Sequence, residues 1–211
     1  MTKLVVVSAG LSVPSSTRLL GDRLAAATAA HTGAEVRVIE VRDLAVEIAH
    51  ALTSGFPGPA LAAALDAVTE ADGLIVVTPV FSASYSGLFK SFFDVLGARD
   101  QDALAGKPVL IAATGGTARH SLVLDHALRP LFAYLRAVVV PTGVYAASED
   151  WGAEGLPERV ERAAGELAAL LPAAAGRPEA AERPAPPAAR RAEPDGFTVV
   201  PFEEQLAALR G

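Results

Sequence analysis

The chain has 211 residues, 51% of them hydrophobic, a formal charge of −6 and no cysteine. That length and apolar content suit one domain, alone or with an appendage, which buries about 70% of its unfolded surface without covalent staples. Lacking cysteine, it has no disulfides, thiolate metal sites, cysteine nucleophiles or CxxC redox chemistry. Its acidic balance, with lysine only at Lys3, Lys90 and Lys107, offers no basic footprint for nucleic acid.

Met1-Thr2-Lys3 leads straight into LVVV without the layout of a signal peptide. No apolar run reaches the ~18 residues of a membrane span, so the expectation is a cytoplasmic protein with no membrane partner. The first predicted strand is Leu4 to Ser8, followed by a helix from Ser16 to His31 closed by Gly33. A second strand, Val36 to Val41, precedes a helix from Pro59 to Ala71. The third strand, Leu74 to Thr78, leads into a helix from Ser86 to Leu96. The fourth, Val109 to Ala113, leads into a helix from Ala118 to Leu135, and the fifth, Val138 to Val144, into a helix from Pro157 to Leu171 that stops at Pro172. Strands one, three and four are apolar on consecutive residues, as parallel strands buried on both faces require. Strands alternating with longer helices predict an α/β fold. It is a doubly wound five-stranded parallel sheet, order 2-1-3-4-5, with helices on both faces.

The composition changes after the last helix. Residues 1–172 form the expected body, and 173–196 are almost wholly Ala, Pro, Arg, Glu and Gly, the composition of a linker. Residues 197–211 turn apolar again, with Phe202, Leu206 and Leu209 at helical spacing. This segment either docks, on its own body or on a neighbouring subunit, or is a frayed tail with one amphipathic turn.

In open α/β sheets a ligand sits outside the carboxyl ends of the strands, where strand order reverses. That points to the loops after strands one, three and four. The first, SAGLSVPSSTRLL (Ser8 to Leu20), carries neither G-x-G-x-x-G nor G-x-x-x-x-G-K-[ST], so both nucleotide fingerprints are missing. It carries hydroxyls instead, at Ser8, Ser12, Ser15, Ser16 and Thr17, leading into a helix whose free N–H groups suit one terminal phosphate. Arg18 could add charge; ordinary N-capping by Ser15 or Ser16 explains part of the same pattern.

The second loop, TPVFSASYSGLFKSFFDVL (Thr78 to Leu96), has Pro79 after a buried strand, where it would stop the ladder and turn the backbone of Val80 to Ser82 toward a ligand. Phe81 could cover a planar ring, whereas Phe89 and Phe92 read as core aromatics. The third, ATGGTARH (Ala113 to His120), has Gly115-Gly116, which allow positive φ and close approach of the backbone. A phosphate cradle, an aromatic shelf and a bare glycine rim describe a pocket for a flat, monophosphorylated ring such as flavin mononucleotide (FMN). No catalytic constellation accompanies it: G-x-S-x-G and H-E-x-x-H are both absent, and His120 and His126 are spaced too poorly on a helix to share a metal.

From about Lys3 to Leu171 these motifs resemble the NADPH-dependent FMN reductase family, which has the flavodoxin-like fold. The likeness is carried by SAGLSVPSSTRLL, TPVFSASYSGLFKSFFDVL and ATGGTARHSLVLDHALRPLFAYLRA. The broader family usually has Asn at the place of Ser82 and Pro at that of Ser86. Their absence favours the branch serving two-component alkanesulfonate and methanesulfonate monooxygenases. The resemblance implies phosphate contacts from Ser12, Ser16 and Thr17 together with Ser15. It places the isoalloxazine against Pro79, Val80, Phe81 and Ser82, with Thr114, Gly115 and Gly116 at its pyrimidine rim. It also implies NADPH or NADH as hydride donor and a flavin-dependent monooxygenase as acceptor of the reduced FMN. In LDHALRP it implies a π-helical bulge shaping a homodimer or homotetramer interface, a reading preferred for His126 over that of a satisfied helix histidine. Two rival functions remain open, an FMN-bound quinone or azo reductase and a flavodoxin-type electron carrier.

Overall fold

The computed structural model describes residues 1–172; the expected linker (173–196) and docking segment (197–211) lie outside the described residues. Strand β1 (Lys3–Ser8) is an interior strand of the sheet, and its residues Leu4 to Val7 are all buried. It pairs in parallel with β2 (Glu35–Glu40) from Lys3↔Glu35 to Ser8↔Glu40, and with β3 (Gly73–Phe81) from Leu4↔Gly73 to Ser8↔Val77. On its far side β3 pairs with β5 (Pro108–Thr114), as far as Pro79↔Thr114.

Because side chains alternate along a strand, each central strand feeds two cores. Leu4, Val6, Ile75, Val77, Leu110 and Ala112 face helices α1 (Ser16–Thr32) and α6 (Gly155–Leu170), meeting Leu20, Leu24, Ala163 and Leu167. Val5, Val7, Leu74, Val76, Val109 and Ile111 belong to the opposite core, built with α2 (Ala45–Ser54), α3 (Pro59–Glu70), α4 (Gly87–Arg99) and α5 (Arg129–Tyr134). There Phe93 and Phe132 lie 5.0 Å apart at 83°, and Phe89 and Phe93 4.9 Å apart. Both layers were legible in the consecutive apolar runs. Gly33 closes α1 at φ 65, the left-handed position that favours glycine.

The five parallel lanes follow the expected order, but the sheet contains seven strands. Val138 to Val144, read as one strand, is split into β6 (Val138–Val139) and β7 (Val144–Ala146), both parallel to β5. Pro141 lacks the N–H that a continuous ladder requires, and Glu166 of α6 takes over the freed backbone. Its carboxylate accepts the Thr142 N–H and hydroxyl, each at 2.7 Å. The seventh strand is β4 (Ser84–Tyr85), which folds back antiparallel on the end of β3.

The expected helix from Ala118 to Leu135 is broken into a 3₁₀ turn (Ala118–His120), a π turn (Leu124–Leu128) and α5. The Arg129 N–H donates to the carbonyl of Leu124, five residues back. Pro130, which has no N–H to continue an α ladder, follows at once, so the π-helical bulge expected at LDHALRP is present. Helix α2 and the 3₁₀ turn Val41–Leu44 before it had no sequence-level counterpart, and Val41 lies in that turn instead of ending β2. Among the described residues no helix is long and apolar enough to cross a membrane.

Candidate functional site

Three chain segments leave neighbouring strands at their carboxyl ends and enclose a cleft of about 410 Å³. Leu11, Ser12, Ser16 and Thr17 line it from the β1–α1 segment; Pro79, Val80 and Phe81 come from the end of β3; Thr114, Gly115 and Gly116 come from the end of β5. Ser148, from the 3₁₀ turn Ser148–Gly152 after β7, completes the wall. None of these side chains is ionisable.

Ser15 and Ser16 prove to have different tasks. Ser15 is the N-cap of α1, its Oγ accepting the Arg18 N–H at 3.2 Å, and its carbonyl takes the Leu19 N–H at 3.0 Å. The N–H groups of Ser16 and Thr17 are then the uncommitted donors of the first helical turn, while Ser16 Oγ belongs to the cleft. Gly10 is required nearby, since a Cβ there would lie 2.0 Å from Ser15 Oγ. Thr17 is buried, and its Oγ1 lies 2.7 Å from Thr114 Oγ1, so one hydroxyl hydrogen bond joins the first loop to the third. Ser8 is buried as well, and its Oγ has no partner among the described residues.

Arg18 does not serve the cleft. Its Nε bonds Asp22 Oδ1 at 2.8 Å and its Nη1 Glu40 Oε1 at 2.6 Å, and these carboxylates, Asp22 foremost, raise its already high pKa. Glu40 also binds Arg42 at 2.6 Å, and Arg42 Nη1 donates to the Ser12 carbonyl at 2.7 Å. The paired arginines therefore brace the loop from outside and leave its lining neutral.

Pro79 does not end its strand. Beyond Val77, β3 no longer has β1 as a neighbour, and a one-sided ladder accommodates proline; β3 continues to Phe81 and turns back into β4. Ser82 and Ala83 form that two-residue turn at φ 49 and 63, and Ser82 is not part of the cleft lining. Both residues take the left-handed conformation that two-residue hairpins demand. Asn, which the family usually carries at 82, tolerates that conformation better. Phe81 is left 46% exposed at the cleft.

Gly115 and Gly116 are not among the residues with positive φ; at Gly115 it is space that requires a glycine. A Cβ on Gly115 would lie 2.1 Å from Tyr145 Oη, while one on Gly116 would meet nothing within 4 Å and so would occupy the open cleft. Leu11 and Ser148 escaped the sequence reading. Leu11 is an apolar residue in a hydroxyl-rich loop, and Ser148 follows a strand whose end had not been counted among the site loops. The lane order does put that strand next to β5, which was the available signal.

A doubly wound flavodoxin-like α/β sheet with a neutral cleft at its topological switch point places the chain among the flavodoxin-like proteins. Comparison with known proteins is specific: the profile of the family "NADPH-dependent FMN reductase" matches residues 2–152, and the chain belongs to that family. It is 43% identical over 174 residues to the FMN reductase (NADPH) of Pseudomonas aeruginosa, covering 80% of this chain and 92% of that one. To the NADH-dependent FMN reductase SfnE of Pseudomonas putida it is 43% identical over 173 residues, covering 82% and 88%. An oxidoreductase from Corynebacterium diphtheriae superimposes with a TM-score of 0.78 at 51% identity, over 81% of this chain and 97% of the other. The reaction class is thus nicotinamide-dependent reduction of FMN, as the sequence motifs implied.

Proposed function

We propose that the cleft holds FMN with its phosphate on the first turn of α1 and its ring across the ends of β3 and β5, and that the reduced flavin leaves for a flavin-dependent monooxygenase. The observation that carries this reading is the convergence of hydroxyls, helix N–H groups and an unshielded glycine rim in one cleft with no ionisable lining. The residues fit the group. Ser12, Ser16 and Thr17 face the cleft with neutral donors, Phe81 offers a half-exposed aromatic surface, and Gly116 leaves room for a ring edge. The bound flavin and a dihydronicotinamide, NADPH or NADH, supply acceptor and donor of the hydride, and this needs no protein acid, base or metal. The chain's own residues bind, orient and leave one ring face open.

A phosphate held by neutral donors, with no arginine or lysine at the site, suits a flavin that comes and goes. The proposal accordingly includes release of reduced FMN to a partner oxygenase in the cytoplasm. The proposal includes self-association, as homodimer or homotetramer, at the π turn. Leu122 and Tyr134, which flank it, are 60% and 84% exposed. It also assigns residues 197–211 to docking, so deletion from Phe197 onward changes elution volume or turnover. The central test follows nicotinamide absorbance with purified protein and FMN. The expected result is FMN-dependent oxidation that saturates in FMN and reduces added free flavin. Absence of oxidation with both nucleotides would refute the proposal.

A further inference from the structure

Tyr145 lies behind the glycine rim on β7, where Tyr145 pairs with Ala113 of β5 and Ala146 with Thr114. Its ring is 6% exposed and belongs to the core beneath α4 and α5. Its hydroxyl donates to the Thr117 carbonyl at 2.7 Å, and the same oxygen is the atom a Cβ on Gly115 would strike. Two further bonds fasten the rim to the segment that follows Tyr145. Gly115 N–H donates to the Ala146 carbonyl at 3.1 Å, and Ala118 N–H to Glu149 Oε1 at 3.3 Å.

That segment is itself held. Asp150 accepts the Ala147 N–H at 2.8 Å and pairs with Arg159 of α6 at 3.1 Å, and Arg159 reaches the Tyr145 carbonyl at 3.5 Å. Burial, then the carboxylates of Glu149 and Asp150, push the Tyr145 phenol above its ordinary range, so it stays a protonated donor at neutral pH.

We infer that Tyr145 is a positioning residue for the flavin ring: its hydroxyl, anchored on the Thr117 carbonyl, sets the height of the Gly115–Gly116 rim and dictates glycine at 115. The inference rests on the FMN reading of the cleft. Small displacements of a backbone that contacts a ring degrade binding and orientation, and a hydroxyl on a buried β-strand is a firmer support than the loop itself.

The test uses Tyr145→Phe, Gly115→Ala and the double variant, in steady-state nicotinamide oxidation with FMN and with riboflavin. Tyr145→Phe keeps the buried ring, and the loss of one hydrogen bond raises KM for FMN by about 3- to 10-fold. Riboflavin suffers by the same factor, because the ring and not the phosphate is misplaced, and kcat falls with both flavins as the ring loses its orientation. Gly115→Ala loses more. In the double variant the hydroxyl is gone and the new methyl lies 3.2 Å from Tyr145 Cζ, a contact that small shifts absorb, so binding recovers in part. The removal of one hydroxyl then weakens the wild type and improves Gly115→Ala.

An unchanged KM in Tyr145→Phe, an effect confined to FMN, or a double variant no better than Gly115→Ala overturns the inference while FMN turnover by the wild type leaves the cleft assignment standing. A wild type that turns over no FMN sinks both.

Discussion

Ser15 and Ser16 are neighbours of identical chemistry, and the proposed placement of the FMN phosphate on the first turn of α1 predicts opposite consequences of losing each hydroxyl. Ser15→Ala removes the acceptor for the Arg18 N–H at the start of α1. Loss of such an N-cap costs about 1 kcal/mol, which for a body of this size lowers Tm by about 2–4 °C. The phosphate site keeps the Ser16 and Thr17 donors, so KM for FMN stays within about threefold. Ser16→Ala leaves the cap intact, and Tm moves by less than about 1 °C. It removes a hydrogen bond to a doubly charged phosphate, worth about 1.5–3 kcal/mol, and so weakens FMN by about 10- to 150-fold. Riboflavin, which has no phosphate, is unaffected. Thermal unfolding and KM for both flavins, measured on the two variants side by side, decide the matter. The assignment is refuted if Ser15→Ala raises KM for FMN more than Ser16→Ala does, or if Ser16→Ala weakens riboflavin equally.

Three further outcomes follow from the fold. Phe132 is fully buried and packs edge-on against Phe89 and Phe93, so Phe132→Ala lowers the unfolding free energy by about 3–5 kcal/mol in urea titration. Ala83 sits at φ 63 in the β3–β4 turn; Ala83→Gly relieves that conformation and, after the added unfolded-state entropy, raises stability by about 0.5 kcal/mol in the same assay. Lys107 Nζ donates to the carbonyls of Thr69 and Ala71 at the end of α3, at 2.9 and 2.5 Å, and burial lowers its pKa below the ordinary 10.5 despite the opposing pull of Asp72. Between the lowered value and 10.5 the unfolded chain retains a proton that the folded chain has released, so this lysine's contribution makes stability rise with pH across that window. Lys107→Met abolishes that slope and, measured at pH 7, costs about 1 kcal/mol, chiefly for the part-buried Ala71 carbonyl, since water replaces the exposed bond to Thr69.

The body of the fold was legible because its signals are local and redundant. Leu4 to Val7, Leu74 to Val77 and Val109 to Ala113 are apolar at every position, which only a strand covered on both faces requires. Gly33 and Pro59 mark helix ends by backbone rules that hold regardless of tertiary context. What stayed hidden depends on partners distant in the chain. The gap between β6 and β7 persists because Glu166, in α6, satisfies Thr142. In α2 only Ile48 and Ala51 are buried while Val46 and Leu52 are exposed, so its apolar positions do not mark the face that packs. Ser82 was placed in the site by the Pro79 argument and by family resemblance, yet its position in the β3–β4 turn takes it out of the cleft lining.

The most instructive difference lies at Arg18. Beside a run of hydroxyls at a helix start, an arginine reads as a phosphate ligand, and the sequence contains nothing that says otherwise. Glu40, at the end of β2, decides the question, because parallel pairing with β1 brings its carboxylate to the loop that β1 feeds. It accepts Arg18 and Arg42 together, and Arg42 then reaches back to the Ser12 carbonyl. The charges next to the cleft are thereby spent on holding the loop's shape, and the surface left for a phosphate is hydroxyl and amide. A guanidinium facing a phosphate dianion would hold it through paired, charge-assisted bonds, as suits a permanently bound flavin. On the proposed reading, a neutral cradle of fixed shape recognises the same phosphate through directed hydroxyl and amide bonds alone.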